Sequence, residues 1–314
     1  MQLKPTLDAA IAQLTAADIG SPRLNAEVLL MFTLACDRAY LYAHAERELS
    51  AEEQARYQAA LEERARGKPS QYITGHQEFW GLDFLVSPAV LIPRPETEHV
   101  IETVLELARE LARPPRALER KPKIVDVGTG SGCIALALAK ELPGAEIVAV
   151  DISAAALEIA RANAARLQLD QRVTFFESNL LSGLPAPSSL SAPASLSASL
   201  GGKATRFEDK GDSFDFVVSN PPYVGSSAPE KVQREVRDFE PRVAVFAGES
   251  GLEVYRQLIP QARERLAPGG WLVMEIGFSM EAALRDLLTG WQEVRVTHDL
   301  QGIPRVVAAR FTTD

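Results

Sequence analysis

Residues 123–127 read Lys-Ile-Val-Asp-Val and are followed by Gly128-Thr129-Gly130-Ser131-Gly132, an apolar stretch over 134–142, and Glu-Ile-Val-Ala-Val-Asp over 146–151. No other part of the chain limits the fold so strongly. The two β-branched runs predict buried strands, and the apolar stretch between them predicts a helix that crosses from one to the other. Repeated strand–helix alternation of this kind builds a mainly parallel sheet with helices on both faces. The glycines admit positive φ and remove Cβ atoms, so a ligand can lie against the backbone where the helix begins. In such sheets ligands sit beyond the carboxyl ends of the strands, where Asp151 closes the second run.

The spacing narrows the ligand. The third glycine comes two residues after the second, whereas the dinucleotide fingerprint has three. Asp151, about twenty residues further on, is placed to accept both hydroxyls of a ribose. Together these features point to an adenosyl ligand, and to S-adenosylmethionine rather than NAD. No Gly-Lys-Ser/Thr sequence is present to hold a triphosphate. Asp126 is expected to order the glycine loop from beneath.

The alternation continues. Residues 153–169 predict a helix with the stripe Leu157, Ala160, Ala164 and Leu167, and 172–176 a third strand. The loop that follows, Glu177-Ser178-Asn179-Leu180, borders the adenine end of the expected ligand. Residues 183–211 are rich in Ser, Ala, Pro and Gly and read as a flexible surface insertion. A fourth strand over 214–218 delivers Asn220-Pro221-Pro222-Tyr223 to the edge that carries the glycine loop. Helices over 251–266 and 280–288, a turn at Gly269-Gly270, a fifth strand over 271–276 and antiparallel edge strands around Val294 and Val306 complete the prediction. Glu275 either points into the cleft or is an internally satisfied carboxylate.

Upstream, the pattern is helical. Leu7, Ile11 and Leu14 share a helix face; Ser21-Pro22 reads as an N-cap and first-turn proline leading into Leu24, Val28, Leu29 and Phe32. Ser50-Ala51-Glu52-Glu53 is a capping box for a helix that ends near Gly67. Residues 1–75 are thus expected to form a helical bundle that positions a partner or substrate. Residues 76–94 are expected to link it, through a hairpin made from the runs 78–86 and 90–92, to an α/β domain over 95–314. Pro93-Arg94-Pro95-Glu96-Thr97-Glu98 reads as a helix start with acids at the positive end of its dipole.

Composition excludes several classes. A net charge of −9 is unfavourable for a large phosphate-binding surface. Two cysteines among 314 residues make no disulfide framework and suit a reducing cytoplasm. No run of eighteen apolar residues predicts a membrane helix, and Lys4, Pro5 and Asp8 interrupt any secretory leader. His44, His76, His99 and His298 are scattered, so no metal is expected.

The glycine loop with the strand and Asn220-Pro221-Pro222-Tyr223 resembles the class I methyltransferases that modify planar nitrogen. Phe79-Trp80-Gly81, Leu91-Ile92-Pro93-Arg94-Pro95-Glu96-Thr97-Glu98, Glu240-Pro241-Arg242 and Gly251-Leu252 are similar to stretches of one family, the bacterial release factor glutamine methyltransferases (PrmC/HemK). The likeness spans nearly the whole chain. It implies an α/β fold with a Rossmann-like class I S-adenosylmethionine-dependent sheet, a small N-terminal helical bundle and a β-hairpin linker. It also implies a cytoplasmic monomer that methylates N5 of the glutamine in the Gly-Gly-Gln motif of class I peptide chain release factors.

Carried onto this sequence, the resemblance implies cofactor contacts from Gly128, Thr129, Gly130, Ser131, Gly132, Asp151, Asn179, Leu180 and Asn220. It implies catalytic roles for Asn220, Pro221 and Tyr223, and substrate contacts from these, Pro222, Arg94 and Glu96. The chain departs from many relatives in having Asn179 and Leu180 where an acid and an aromatic residue usually stand. An amide nitrogen is a weak nucleophile because its lone pair is delocalised. Acceptors at the Asn220 side-chain oxygen and the Pro221 main-chain oxygen, aimed off the amide plane, would favour the transition state. The two prolines fix that backbone, Tyr223 packs against the amide, and the proton leaves after the charge develops, so no base is needed. Two alternatives stand beside this one: a DNA or RNA amino methyltransferase, against which the acidic balance and missing basic domain weigh, and a binding module that keeps only the fold.

Overall fold

Apolar residues recurring every three or four positions build the N-terminal helices. In the computed structural model, which describes residues 1–111, 121–184, 213–226 and 232–312, α1 (Leu3–Ala16) buries Leu3, Leu7, Ala10 and Leu14. α2 (Pro22–Leu34) and α4 (Ala51–Ala65) pack on it, with the short α3 (Arg38–Ala43) and α5 (Ser70–Thr74) closing the bundle. The capping box at the start of α4 is formed: the Glu53 N–H donates to Ser50 Oγ at 3.1 Å, and the Ser50 N–H to Glu53 Oε2 at 2.9 Å.

One expectation for α2 does not hold. Ser21 adopts φ 51° and its side chain caps nothing; instead Asn25 Nδ2 reaches back to the Gly20 and Ser21 carbonyls. The buried face carries Ala26, Leu29, Leu30 and Thr33, while Leu24 and Phe32 are about half exposed. Ala26 is fully buried, and the Tyr57 hydroxyl of α4 donates to its carbonyl at 2.9 Å.

The hairpin pairs β1 (His76–Phe79) with β2 (Leu82–Leu85). Its turn, Trp80-Gly81, has positive φ at both residues, the backbone of a tight two-residue hairpin. The run 90–92, expected as part of the same hairpin, is not a strand. Its polar backbone is satisfied from outside a ladder: Tyr72 Oη donates to the Val90 carbonyl at 2.6 Å, and the Ile92 N–H donates to Glu240 Oε2 at 3.2 Å. Pro88 and Pro93 flank it and offer no N–H to a ladder.

A 3₁₀ turn, Pro95–Thr97, leads into α6 (Glu98–Leu111). Among the described residues, seven strands then form the main sheet: β3 (Lys123–Val127), β4 (Glu146–Asp151), β5 (Val173–Glu177), β6 (Phe214–Ser219), β7 (Leu266–Glu275), β8 (Glu293–His298) and β9 (Pro304–Arg310). Their order is β5-β4-β3-β6-β7-β9-β8, parallel from β5 to β7 and antiparallel for the last two. The helices α7 (Cys133–Glu141), α8 (Ala154–Arg166), α9 (Arg234–Phe239), α10 (Arg242–Val245), α11 (Glu253–Arg265) and α12 (Glu281–Leu287) complete the domain.

Both faces of the sheet are covered, which is why its strands read as nearly continuous apolar runs. Ile124, Phe216, Val218, Trp271 and Val273 point to the layer of α6 and α7. Val125, Val127, Val217, Leu272 and Met274 point to that of α11 and α12. Gly269-Gly270, expected as a turn ahead of the fifth strand, instead lies within β7. Pairing begins at Phe214 with Leu266 and resumes at Phe216 with Trp271. The extra residues are held because the Gly269 N–H donates to the Phe311 carbonyl, and the Phe311 N–H to the Gly270 carbonyl. The residues of the 183–211 insertion fall almost wholly outside the described residues.

The strand order reverses at β3. It pairs with β4 on one side and β6 on the other, and Val127 stands opposite Ser219. The glycine loop and Asn220 therefore leave the sheet side by side, at the point where this architecture opens a crevice.

Candidate active site

The glycine loop is fastened from two sides. The Gly128 and Thr129 N–H groups donate to the Val150 carbonyl at 2.8 and 2.9 Å, and the Gly130 N–H to Asp151 Oδ2 at 2.8 Å. Gly128, Gly130 and Gly132 all have positive φ. A Cβ on Gly132 would also come within 3.1 Å of Leu136 and 3.3 Å of Ala160, so this glycine sets the packing of α7 against α8. Beneath the loop, fully buried Asp126 accepts the Thr129 hydroxyl at 2.6 Å and the Ala135 N–H at 3.2 Å, both on Oδ2. Its Oδ1 has no partner among the described residues. Burial drives this carboxyl up to about 7, against the pull of the Thr129 and Ala135 hydrogen bonds. Burial also raises Asp151, whose Oδ1 accepts the Ser153 N–H at 2.9 Å.

On the neighbouring strand, the Ser219 hydroxyl donates to the Val127 carbonyl at 2.7 Å and ties the two carboxyl ends together. Asn220 Nδ2 donates to Thr97 Oγ1 at 3.0 Å, and Thr97 Oγ1 donates to Glu275 Oε2 at 2.6 Å. Glu275 thus proves to be a satisfied carboxylate, 3% exposed, pushed up to about 7 chiefly by burial. Tyr223 is half-buried, and its hydroxyl is raised by desolvation and by the neighbouring Glu275 and Glu96 charges. A Cβ on Gly251 would stand 2.4 Å from the Tyr223 carbonyl oxygen, and one on Gly277 would stand 3.0 Å from its ring. Only bare backbone lets the loop after Asn220 settle here.

Gly128, Thr129, Gly130, Ser131, Asp151, Asn179, Leu180, Asn220, Pro222 and Arg94 line one open cleft, with Thr97, Ile134, Ile152, Val243 and Val254 among its other walls. Gly132, Pro221, Tyr223 and Glu96 do not line it. Pro221 is buried under the loop, and Glu96 lies 3.6 Å from Arg305. Arg94 is ion-paired with Glu240, a buried carboxylate raised by desolvation and pulled back by that guanidinium.

Sequence reasoning overlooked several of these residues. Ile152 follows Asp151 and stands 53% exposed in the cleft wall; an apolar residue directly after that acid was the available signal. Asn163 is fully buried, accepts the Leu85 N–H and donates to the Leu85 and Ser131 carbonyls. A polar residue beside the apolar stripe of α8 marked it. Thr97 lay unremarked inside the helix start, and Glu240 inside a short Glu-Pro-Arg run.

Comparison with known proteins agrees with this architecture. Residues 6–75 match a family model described as the PrmC N-terminal domain, and residues 118–275 one described as a methyltransferase domain. The release factor glutamine methyltransferase of Koribacter versatilis (strain Ellin345) is 53% identical over 313 residues, with 100% of both chains covered. That of Geobacter sulfurreducens is 39% identical over 312 residues, covering 98% of this chain and 96% of that protein. Among solved structures, the hMettl16 catalytic domain in complex with MAT2A 3′UTR hairpin 1 matches with a TM-score of 0.54 at 18% identity, over 87% of this chain and 85% of that one. At that identity the likeness is one of fold.

Proposed function

The chain belongs to the release factor glutamine methyltransferase family, and from that premise we propose how its cleft methylates N5 of the glutamine in the Gly-Gly-Gln motif of peptide chain release factors. It is an S-adenosylmethionine-dependent enzyme. The cofactor supplies a methyl group on positively charged sulfur, electrophilic enough for a weak nucleophile.

The residues present fit that cofactor. Asp151 keeps lone pairs beyond those engaged by Gly130 and Ser153 and takes the ribose hydroxyls. Ile152 and Leu180 offer apolar surface to the adenine and Asn179 a hydrogen-bonding amide, in place of the acid and aromatic residue of many relatives. The glycines leave the loop backbone open to the ligand.

Asn220 and Pro221 act on the substrate. The Asn220 Oδ1 and the Pro221 carbonyl accept the two N–H bonds of the glutamine amide and draw its nitrogen out of plane, which releases the lone pair for attack. The same oxygens face the positive charge that develops on nitrogen, and preorganised acceptors of this kind are worth most where water is excluded. Pro221 and Pro222 hold the backbone at fixed φ, and Tyr223 gives the amide an aromatic neighbour. The nitrogen sheds its proton after the new bond forms. Arg94, steadied by Glu240, lines the entrance for the motif, and the bundle over 1–75 selects the protein that carries it. The reading assigns the enzyme to the cytoplasm as a monomer; no helix among the described residues is long and apolar enough to cross a membrane.

The observation that carries this reading is the register of β3 with β6, which brings the glycine loop and Asn220 to one crevice. Its test is methyl transfer to purified release factor, with the modified residue located by mass spectrometry. In Asn220→Ala, turnover should fall by roughly a hundredfold or more while cofactor affinity stays within a few-fold. Unchanged turnover, or a methyl group on another residue, would remove the mechanism.

A further inference from the structure

Asn220 carries an oxygen and an NH2 group on one planar amide, and only one of its two orientations suits the proposed reaction. With the oxygen towards the substrate it accepts an N–H; flipped, it sets NH2 against NH2. Three facts bear on which orientation is held. Asn220 Nδ2 lies 3.0 Å from Thr97 Oγ1. Thr97 is 1% exposed, and its Oγ1 lies 2.6 Å from Glu275 Oε2. Glu275, at the end of β7, is 3% exposed, and the Tyr255 hydroxyl occupies its main-chain carbonyl at 2.8 Å.

A threonine hydroxyl has one proton to give and two lone pairs. Above about pH 7 the Glu275 carboxylate is ionised and only accepts, so it takes the Thr97 proton. What Thr97 then turns towards Asn220 is a lone pair, and the partner of a lone pair must be the NH2 side of the amide. Thr97 comes from the 3₁₀ turn, Asn220 from the end of β6 and Glu275 from the end of β7, so three separate elements converge on this chain of hydrogen bonds.

We propose that Thr97, with its proton held by Glu275, is a positioning residue that locks the Asn220 amide with its oxygen towards the substrate. This rests on the reading of Asn220 as the substrate's acceptor. Thr97 lines the cleft with Asn220 but acts through it. The run Pro95-Glu96-Thr97 thereby gains a task beyond starting a helix: its threonine sets the polarity of the catalytic amide.

Two measurements test this. In the free protein, the Asn220 side-chain NH2 resonances, identified by their loss in Asn220→Ala, should exchange with solvent at least about tenfold more slowly than a free amide, as a hydrogen-bonded group does. Exchange at the free-amide rate overturns the proposal without any Thr97 variant having to fold. In methyl transfer, Thr97→Val, which keeps the shape and removes the hydroxyl, should lower kcat by about tenfold or more with cofactor affinity within about twofold. Thr97→Ser, which restores the hydroxyl, should recover kcat to within about threefold of the parent. Thr97→Val combined with Asn220→Ala should be no slower than Asn220→Ala alone, because both remove one interaction. Parent-like kcat in Thr97→Val, or a loss that multiplies with that of Asn220→Ala, overturns the proposal. Parent-like turnover in Asn220→Ala instead overturns the reading it rests on, so the two failures are distinct.

Discussion

Asp126 shows how far burial can move a single group. It has no contact with solvent and two donors on one oxygen, and its pKa stands at about 7 against an ordinary 3.8. Desolvation outweighs the hydrogen bonds, so the folded chain holds this proton more tightly than the unfolded chain does. The stabilisation is therefore whole below about pH 4 and is lost progressively as pH rises to about 7. Glu275, raised from 4.5 to about 7 by the same cause, adds a contribution of the same sign. Asp126→Asn keeps an oxygen for Thr129 and Ala135 but cannot ionise. Its melting temperature should match the parent's near pH 4 and exceed it at pH 8, the gap opening between those values; a constant offset in melting curves across that range would refute the assignment. The identity of Asp126 as a loop-ordering acid was legible, because an acid one residue from the end of a strand that feeds a glycine turn has a loop to hold. Its protonation was not, since burial is set by helices and strands distant in sequence.

At the level of elements, the glycine loop owes its position to side chains that reach across from neighbours. Asn163 on α8 clamps both backbone groups of Leu85 on β2 and the Ser131 carbonyl in the loop, with distances of 2.7, 3.0 and 2.9 Å. It joins the hairpin to the glycine loop through one amide. Asn163→Leu fills similar space but leaves those buried groups unpaired, at about 1–3 kcal/mol for each group that finds no water. We expect a loss of about 3 kcal/mol or more in denaturant unfolding, together with weaker S-adenosylmethionine binding by calorimetry as the Ser131 end of the loop shifts. A stability loss with unchanged cofactor affinity would show that the clamp serves the hairpin alone. Helices and parallel strands were readable here because apolar periodicity and glycine's access to positive φ are local properties. The run 90–92 misled for the same reason: β-branched residues signal burial, and burial against Tyr72, Val86 and Ala156 needs no ladder.

For the whole molecule, the question is how the helical bundle meets the catalytic domain. Arg64 of α4, only 2% exposed, donates to Asn25 Oδ1 at 2.7 Å, to the Lys68 carbonyl at 3.0 Å and to Glu235 Oε2 of α9 at 2.9 Å. One guanidinium thus fastens α2, the end of α4 and the catalytic domain together. Arg64→Ala should cost about 1–3 kcal/mol of stability. If the bundle presents the release factor, KM for the intact factor should rise by about fivefold or more, with kcat less affected. KM for a short peptide carrying only Gly-Gly-Gln should not change; equal effects on both substrates would remove the bundle from recognition. The sequence by itself determined the parallel sheet, the glycine loop, the helical N-terminus and the residue types of the site, because each follows from spacing along a few consecutive residues. The tertiary structure alone decided which face of α2 is buried, that Arg94 is bound by Glu240, and that Thr97 meets both Asn220 and Glu275. Those partners lie 146, 123 and 178 residues apart. Contacts across such distances are set by strand order and register, and no local periodicity encodes them.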